Sequence, residues 1–428
     1  MLVKTWYIIF MRKKETIILI ISSIVLGLIV GLSSLFLGLL LNFVEHLFLH
    51  FEETARYPMG IDVAPGTRLW AVFAGGIISA IIWWILRTKV KPPVTIKTGL
   101  SGQNMPAIQT AIHVITQIFY VGTGGSVGRE LAPREAGAMI AQKWNDLLLK
   151  YHLAVLSKDD VKLLMAAAAG AGFAGVYNAP ITGMFFCIEI LLKKISFRTV
   201  GVSLSMSIIA MLVSSSVRGV EPYYLVGHTN FDATFLPFVI VIAALCGIAG
   251  GLFRKAFTWA EKHQTKSNHI LWQLPLMALI TGVTLTQFPQ IMGNGRPLAQ
   301  MAISTTSNHF ILLLLLSGLI KGLVTVLTIR SGAAGGTLTP SIAIGAVIGT
   351  IAGMIVAPIT TIPVWQFSVL GGCSLLAASQ QAPLMALFMI IEVSHLNYSA
   401  LIPLGLGVII STGVAKIVLK TTIKSNPL

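Results

Sequence analysis

The sequence predicts an all-α, polytopic membrane protein, and three observations carry that reading. Hydrophobic residues make up 55% of the 428 positions and charged ones 11%, against about 25% charged in a soluble domain. Mean hydropathy is +0.84. Apolar runs of helical length recur from end to end, and none alternates with a period of two, which favours a helix bundle over a barrel. Finally, polar breaks of one type recur in matching order in both halves, the pattern of a repeat built from discontinuous helices.

In chain order, Met1 to Glu15 is basic and partly apolar, and Thr16 to about Leu49 reads as one long, tilted span with a cytoplasmic N-terminus. It is too long for a signal-peptide core. A polar connection, Glu52 to Arg68, leads to a second span near Leu69 to Leu86. Arg87 to Pro93 is basic and proline-stiffened, hence cytoplasmic. Thr98-Gly-Leu-Ser-Gly-Gln-Asn-Met-Pro106 reads as non-helical backbone, with a helix from Ala107 to Tyr120. Lys150 to Lys162 is a polar loop. Leu163 to Leu192 is rich in Ala and Gly, allowing close helix contact, and Pro180 breaks it in mid-run. Spans follow at about Val200 to Val217 and Leu236 to Phe253, and a charged connection, Arg254 to His269, divides the chain. The expected organisation is one membrane domain, 1–428, with approximate halves 16–253 and 270–420.

The formal charge of +15 resides in groups at the ends of apolar runs, such as Arg12-Lys13-Lys14, Lys193-Lys194 and Lys416 to Lys424. That fits cytoplasmic Lys/Arg-rich loops in a plasma (inner) membrane, with both termini cytoplasmic, and not a nucleic-acid surface. Cys187, Cys246 and Cys373 stand alone in apolar segments and read as packing thiols, so neither metal nor other cofactor is expected. His113 and His395 lie singly on apolar stretches and read as packed histidines. No His-x-x-Glu-His motif, paired Asp cluster or Ser/His/Asp constellation suggests an enzyme.

The stretch Gly122-Thr-Gly-Gly-Ser-Val-Gly-Arg-Glu130-Leu-Ala-Pro-Arg-Glu135-Ala-Gly137 concentrates the unusual chemistry. Five glycines precede or enter a helix, and a helix start exposes unpaired N–H groups and a positive dipole end. Such a place attracts an anion, and here it also carries the carboxylate of Glu130. Arg129, Arg134 and Glu135 read as a solvated ion-pair cluster. In the second half, Gly335-Gly-Thr-Leu-Thr-Pro340 corresponds to Gly124-Gly-Ser-Val-Gly128, and Gln381-Ala-Pro through Glu392 repeats Asn178-Ala-Pro through Glu189.

At these residues the chain resembles the CLC family of chloride channels and proton-coupled chloride transporters. The family's motifs GSGIP, G(R/K)EGP and GxFxP have counterparts in Gly102-Gln-Asn-Met-Pro106, Gly128-Arg-Glu130 and Gly336-Thr-Leu-Thr-Pro340. The resemblance implies a CLC-like inverted-repeat helical bundle, a homodimer in the lipid bilayer with a pore in each subunit, and transport of chloride or a similar small anion together with protons. It implies Glu130 as the gate, and Gln103, Asn104, Thr337 and Leu338 around the anion. Gln103 stands at the serine position, and Ser101 takes that role only if the loop shifts register by two residues.

Other departures bear on mechanism. Leu131-Ala132 replaces Gly-Pro after Glu130, and Leu338 stands where an aromatic is usual. Ile190 occupies the place of the family's proton-handling glutamate, one position beyond Glu189, a turn of about 100° on an α-helix. The inner tyrosine position falls near Ile423 or Lys424. Glu189 and Glu392 read as structural polar residues. These departures favour passive, proton-gated conduction, with antiport or selectivity for another anion such as fluoride as alternatives.

Overall fold

The computed structural model describes residues 2–58 and 60–421, with side chains from Thr16 onward. Its helices are α1 (Leu2–Leu49), α2 (Pro65–Thr88), α3 (Ile96–Leu100), α4 (Ala107–Gly122), α5 (Leu131–Lys150), α6 (Lys158–Tyr177), α7 (Pro180–Phe185), α8 (Phe197–Arg218), α9 (Leu236–Lys262), α10 (Ile270–Gln287), α11 (Arg296–Ser304), α12 (Ile311–Arg330), α13 (Leu338–Val356), α14 (Val364–Gln380), α15 (Pro383–Val393) and α16 (Leu401–Thr421). Among the described residues nine helices are long and apolar enough to cross a membrane. Three shorter apolar helices accompany them: α4, α7 with its continuation to Leu192, and α15. The all-α, polytopic expectation therefore holds.

Three boundaries differ from the expectation. The segment Thr98–Pro106 is not wholly irregular, because α3 runs to Leu100, its N-cap Thr95 accepting from the Thr98 amide. Helix α9 continues through Arg254 to Lys262, so only His263–His269 connects it to α10. Lys, Arg and Glu are good helix formers, and the charged end 254–262, free of Gly and Pro, does not stop the helix. Helix α6 starts at Lys158, inside the expected loop, because Ser157 caps it by accepting from Asp160 N at 3.1 Å.

The chain forms two compact units: residues 1–38, 93–114 and 133–220, and residues 39–92, 115–132 and 221–428. In the first, Gly27 and Gly31 of α1 meet Ile209 and Val213 of α8. A Cβ on Gly137 or Gly172 would strike the carbonyls of Ala168 or Pro133. In the second, Gly247 and Gly251 of α9 meet Val414 and Val418 of α16, and Gly345 lies against the Gly371 carbonyl. Glycines four apart, on one helix face, let backbones approach where lipid supplies no hydrophobic drive.

Both units break a helix in the same way. Asn178 and Gln381 close α6 and α14 in the left-handed conformation, with φ of 54° and 55°. Ala179 and Ala382 follow with nearly the same backbone angles, φ of −127° and −138° and ψ of 73° and 78°, and Pro180 and Pro383 open the next helices at N1. The sequence repeat is thus a repeat of backbone geometry. One difference separates the copies: after α7 the chain is π-helical from Phe186 to Leu192, whereas α15 is α-helical to Val393. His395, expected on an apolar helix, lies just beyond α15 with φ of 48°. The three cysteines are buried and free.

Gly345→Val should destabilise the protein by about 1–3 kcal/mol, because the overlapping atom is a backbone carbonyl that cannot swing aside. Gly405→Ala, on α16 with open space around its Cβ position, should be neutral or stabilising by up to about 1 kcal/mol. Thermal unfolding in detergent reads both, and equal melting temperatures for the two variants would contradict the packing described.

Candidate anion site at the start of α13

Segment 123–130 reaches its position through backbone that suits only small residues. Gly124 has φ of 101°, and a Cβ at Gly125 would meet the Tyr120 carbonyl and ring. Gly128 and Gly336 then exchange backbone hydrogen bonds, both 2.8 Å, in an isolated antiparallel bridge. A Cβ on either glycine would overlap the carboxylate of Glu130. The carboxylate lies in the slot this leaves, fully buried, and its Oε1 accepts from Leu338 N at 2.5 Å.

Leu338 is the first residue of α13, and Thr337 is its N-cap. Thr337 is held by Gln380, which donates to its Oγ1 at 3.2 Å, and its carbonyl accepts from the Ser341 amide and hydroxyl. Glu130 thus sits on the positive end of a 19-residue helix that carries no acid or base of its own. Glu130, Thr337 and Leu338, singled out from sequence, come together. The Leu338 amide, free to bind an anion in the sequence reading, is occupied by Glu130.

A residue that sequence reasoning missed stands beside this segment. Lys321 of α12 is fully buried, and its ammonium donates to Ser126 Oγ at 2.9 Å and to the carbonyls of Ile291 at 3.1 Å and Gly293 at 2.6 Å. Ser126 also pairs with Thr325, 3.1 Å away. The available signal was a lone basic residue inside the apolar run Ile311–Leu327, and intramembrane ionisable residues are functional by default.

The solvated cluster of Arg129, Arg134 and Glu135 is corrected: all three are buried, with separate partners. Arg129 approaches Glu53 at 3.9 Å, and Glu53 Oε1 accepts from Arg296 Nη1 at 2.7 Å. Tyr223 lies under both guanidinium groups, 4.0 Å from that of Arg296 and 5.2 Å from that of Arg129. Asn294 donates to the Tyr223 hydroxyl at 2.9 Å. In the first unit Glu135 meets His113 at 3.5 Å, so His113 has a charged partner, not merely apolar packing. Arg134 covers the Phe186 ring at 4.8 Å. Glycine content and charge order say nothing about burial, which is why sequence gave these groups to solvent.

The loop 101–106 belongs to the first unit and is buttoned to α5. Gln142 donates to the Gln103 carbonyl at 2.9 Å and accepts from Met105 N at 2.6 Å, while Lys143 donates to Asn104 Oδ1 at 2.6 Å. The Ser101 hydroxyl donates to the Thr98 carbonyl at 2.7 Å, and the Gln103 side chain is exposed. Glu189 is half-buried in the π-helical turn, and Glu392 half-buried on α15. Ile423 and Lys424 lie outside the described residues.

Comparison with known proteins agrees with the resemblance read from the motifs. The chain is 25% identical over 414 residues to the H(+)/Cl(−) exchange transporter ClcA of Vibrio parahaemolyticus, covering 90% of this chain and 84% of that one. It is 24% identical over 378 residues to the voltage-gated ClC-type chloride channel ClcB of Salmonella typhi, covering 83% and 85%. The crystal structure of a slow cyanobacterial Cl−/H+ antiporter superposes with a TM-score of 0.77 at 20% identity, over 95% of this chain and 97% of the other. The family model for voltage gated chloride channels matches residues 75–416, and the chain belongs to that family, the CLC proteins.

Proposed function

We propose that this protein exchanges a small anion, chloride in the first place, for protons across the membrane, and that Glu130 binds both. The observation that carries the proposal is the Glu130 carboxylate on the Leu338 amide at the start of α13. A carboxylate-sized ion loses roughly 20 kcal/mol of idealised Born solvation in a low-dielectric medium. A transport site must replace that with neutral donors, or the ion would not leave again. The same donors serve Glu130 when it is ionised. An incoming anion competes with the carboxylate, and a protonated Glu130 no longer needs the amide. Proton binding and anion binding are therefore linked at one position.

Exchange is supported over the passive conduction that the sequence favoured. The relative named as an exchange transporter is similar over 90% of this chain. Glu189, one residue before the family's proton-handling position, is the carboxylate that sequence position offers as an inner proton relay. Passive conduction stays as a second reading because Ile190 carries no proton and another relative is named a channel. Gln103 and Asn104 enter the proposal as further anion donors from their motif position, and Gln103 is favoured over Ser101, whose hydroxyl hydrogen goes to Thr98. The anion's identity rests on family membership, with fluoride as the alternative. The proposal includes a homodimer in the plasma membrane with both termini cytoplasmic. The paired glycines support a repeat in which α9 and α16 correspond to α1 and α8.

In proteoliposomes, anion flux should rise as pH falls, because protonation releases Glu130 from the amide. Glu130→Gln, which mimics the protonated acid without the charge, should keep flux and lose most of that pH dependence. Retention of the full pH profile in this variant would remove Glu130 from the gate.

Coupling is read separately. An outward chloride gradient should drive protons uphill into wild-type vesicles, detected as a sustained fall of internal pH that Glu130→Gln abolishes. Chloride flux without uphill proton movement would establish passive conduction instead.

A further inference from the structure

We propose that Lys321 is a buried cation beside the transport site, a positioning residue that favours the ionised, docked form of Glu130 and so sets the pH at which the gate carboxylate is released. The inference rests on the reading of Glu130 as the gate and adds the group that tunes it.

Lys321 is fully buried, and every hydrogen bond of its ammonium goes to a neutral oxygen: the Ser126 hydroxyl and the carbonyls of Ile291 and Gly293. Its link to Glu130 is structural: Ser126, which accepts from the ammonium at 2.9 Å, and Glu130 lie on one short buried segment. Segment 123–130 joins the two physically, because Ser126 holds the ammonium while Glu130, four residues on, occupies the slot between Gly128 and Gly336. The Lys321 stem also lies beside the first turns of two helices: Gly295, the N-cap of α11, has its Cβ position 3.1 Å from Lys321 Cε and 3.5 Å from Pro340 of α13. Helix N-termini repel a cation. A lysine placed there is retained at a cost that a nearby negative charge offsets.

The other charged groups on the surrounding elements have different partners. Arg129 and Arg296 face Glu53, with Glu45 accepting from the Glu53 amide. On α9, Arg254 interacts with Glu261 and donates to the Ser379 carbonyl; Lys255 and Lys262 share that helix. His309 precedes α12 among exposed residues, and Arg330 ends that helix beside Trp259. Helices α10 and α13 contribute no acid or base.

The test is the pH profile of chloride flux in proteoliposomes for Lys321→Gln, Lys321→Arg and Lys321→Met, each with Glu130 and with Glu130→Gln. Removing the cation disfavours the ionised carboxylate, so the midpoint for Lys321→Gln should move up by about one pH unit. Lys321→Arg should hold the wild-type midpoint. Lys321→Met, an unbranched apolar chain that needs no polar partner, should move the midpoint the same way, which keeps the test decisive if Lys321→Gln does not fold. No variant should alter the profile in the Glu130→Gln background. An unmoved midpoint in the folded neutralised variants, or an equal shift without Glu130, would overturn the role of Lys321. A full pH dependence in Glu130→Gln alone would overturn the gate reading instead.

Discussion

Everything at the centre of this protein answers to one constraint: a negative charge must be held in a dry interior by donors that carry no full charge. The Leu338 amide at the head of α13 meets that requirement, and the Gly128–Gly336 bridge aims Glu130 at it. Two glycines face the carboxylate because a methyl group at either position would occupy its place. The helix behind the amide is devoid of ionisable residues, so its dipole acts on whatever anion stands at its start with no countercharge on the helix itself. A strong fixed charge in direct contact would bind too tightly for turnover.

Holding those backbone segments still is the task of the tightly packed glycine and alanine helices. In water, burial of apolar surface would bring helices together; in lipid, close approach of backbones has to suffice. That explains why α6 is almost wholly buried and why glycines recur four apart on α1 and α9, each pair set against branched residues of a partner helix. The breaks at Asn178 and Gln381 are part of the same economy. Asn tolerates the left-handed conformation, whereas Gln gains no such ease, and its side chain donates to the Ala378 carbonyl at 2.7 Å, satisfying one of the orphan groups at the helix end.

Much of this was legible in the residues, because the signals were local. Gly-rich backbone followed by a helix start, a carboxylate at the join and Ala-Pro breaks at equal spacing are properties of short stretches. What escaped were properties of the packed state. Burial of Arg129, Arg134 and Glu135 depends on Glu53, Tyr223, Phe186 and His113, which are remote in sequence. The π-helical turn at Glu189 has no signature distinguishing it from the α-helical copy around Glu392. The end of α9 was misplaced because charge was equated with loop, although its charged residues are good helix formers.

Under the exchange reading, the buried lysine also bears on why transport would be coupled and not leaky. With Glu130 ionised and docked, the charges of Lys321 and the carboxylate balance across the Ser126 segment. With an anion in place of the carboxylate and Glu130 protonated, they balance again. The state in which Glu130 is protonated and the site holds no anion leaves a buried ammonium uncompensated, and the state with both anion and ionised carboxylate carries a net negative charge. Uncompensated buried charges cost several kcal/mol even after relaxation. Both unbalanced states are therefore depopulated, and anion occupancy and protonation of Glu130 rise and fall together. Under the proposed role of Lys321, charge balance thus links the binding of the two ions without requiring them to share a path.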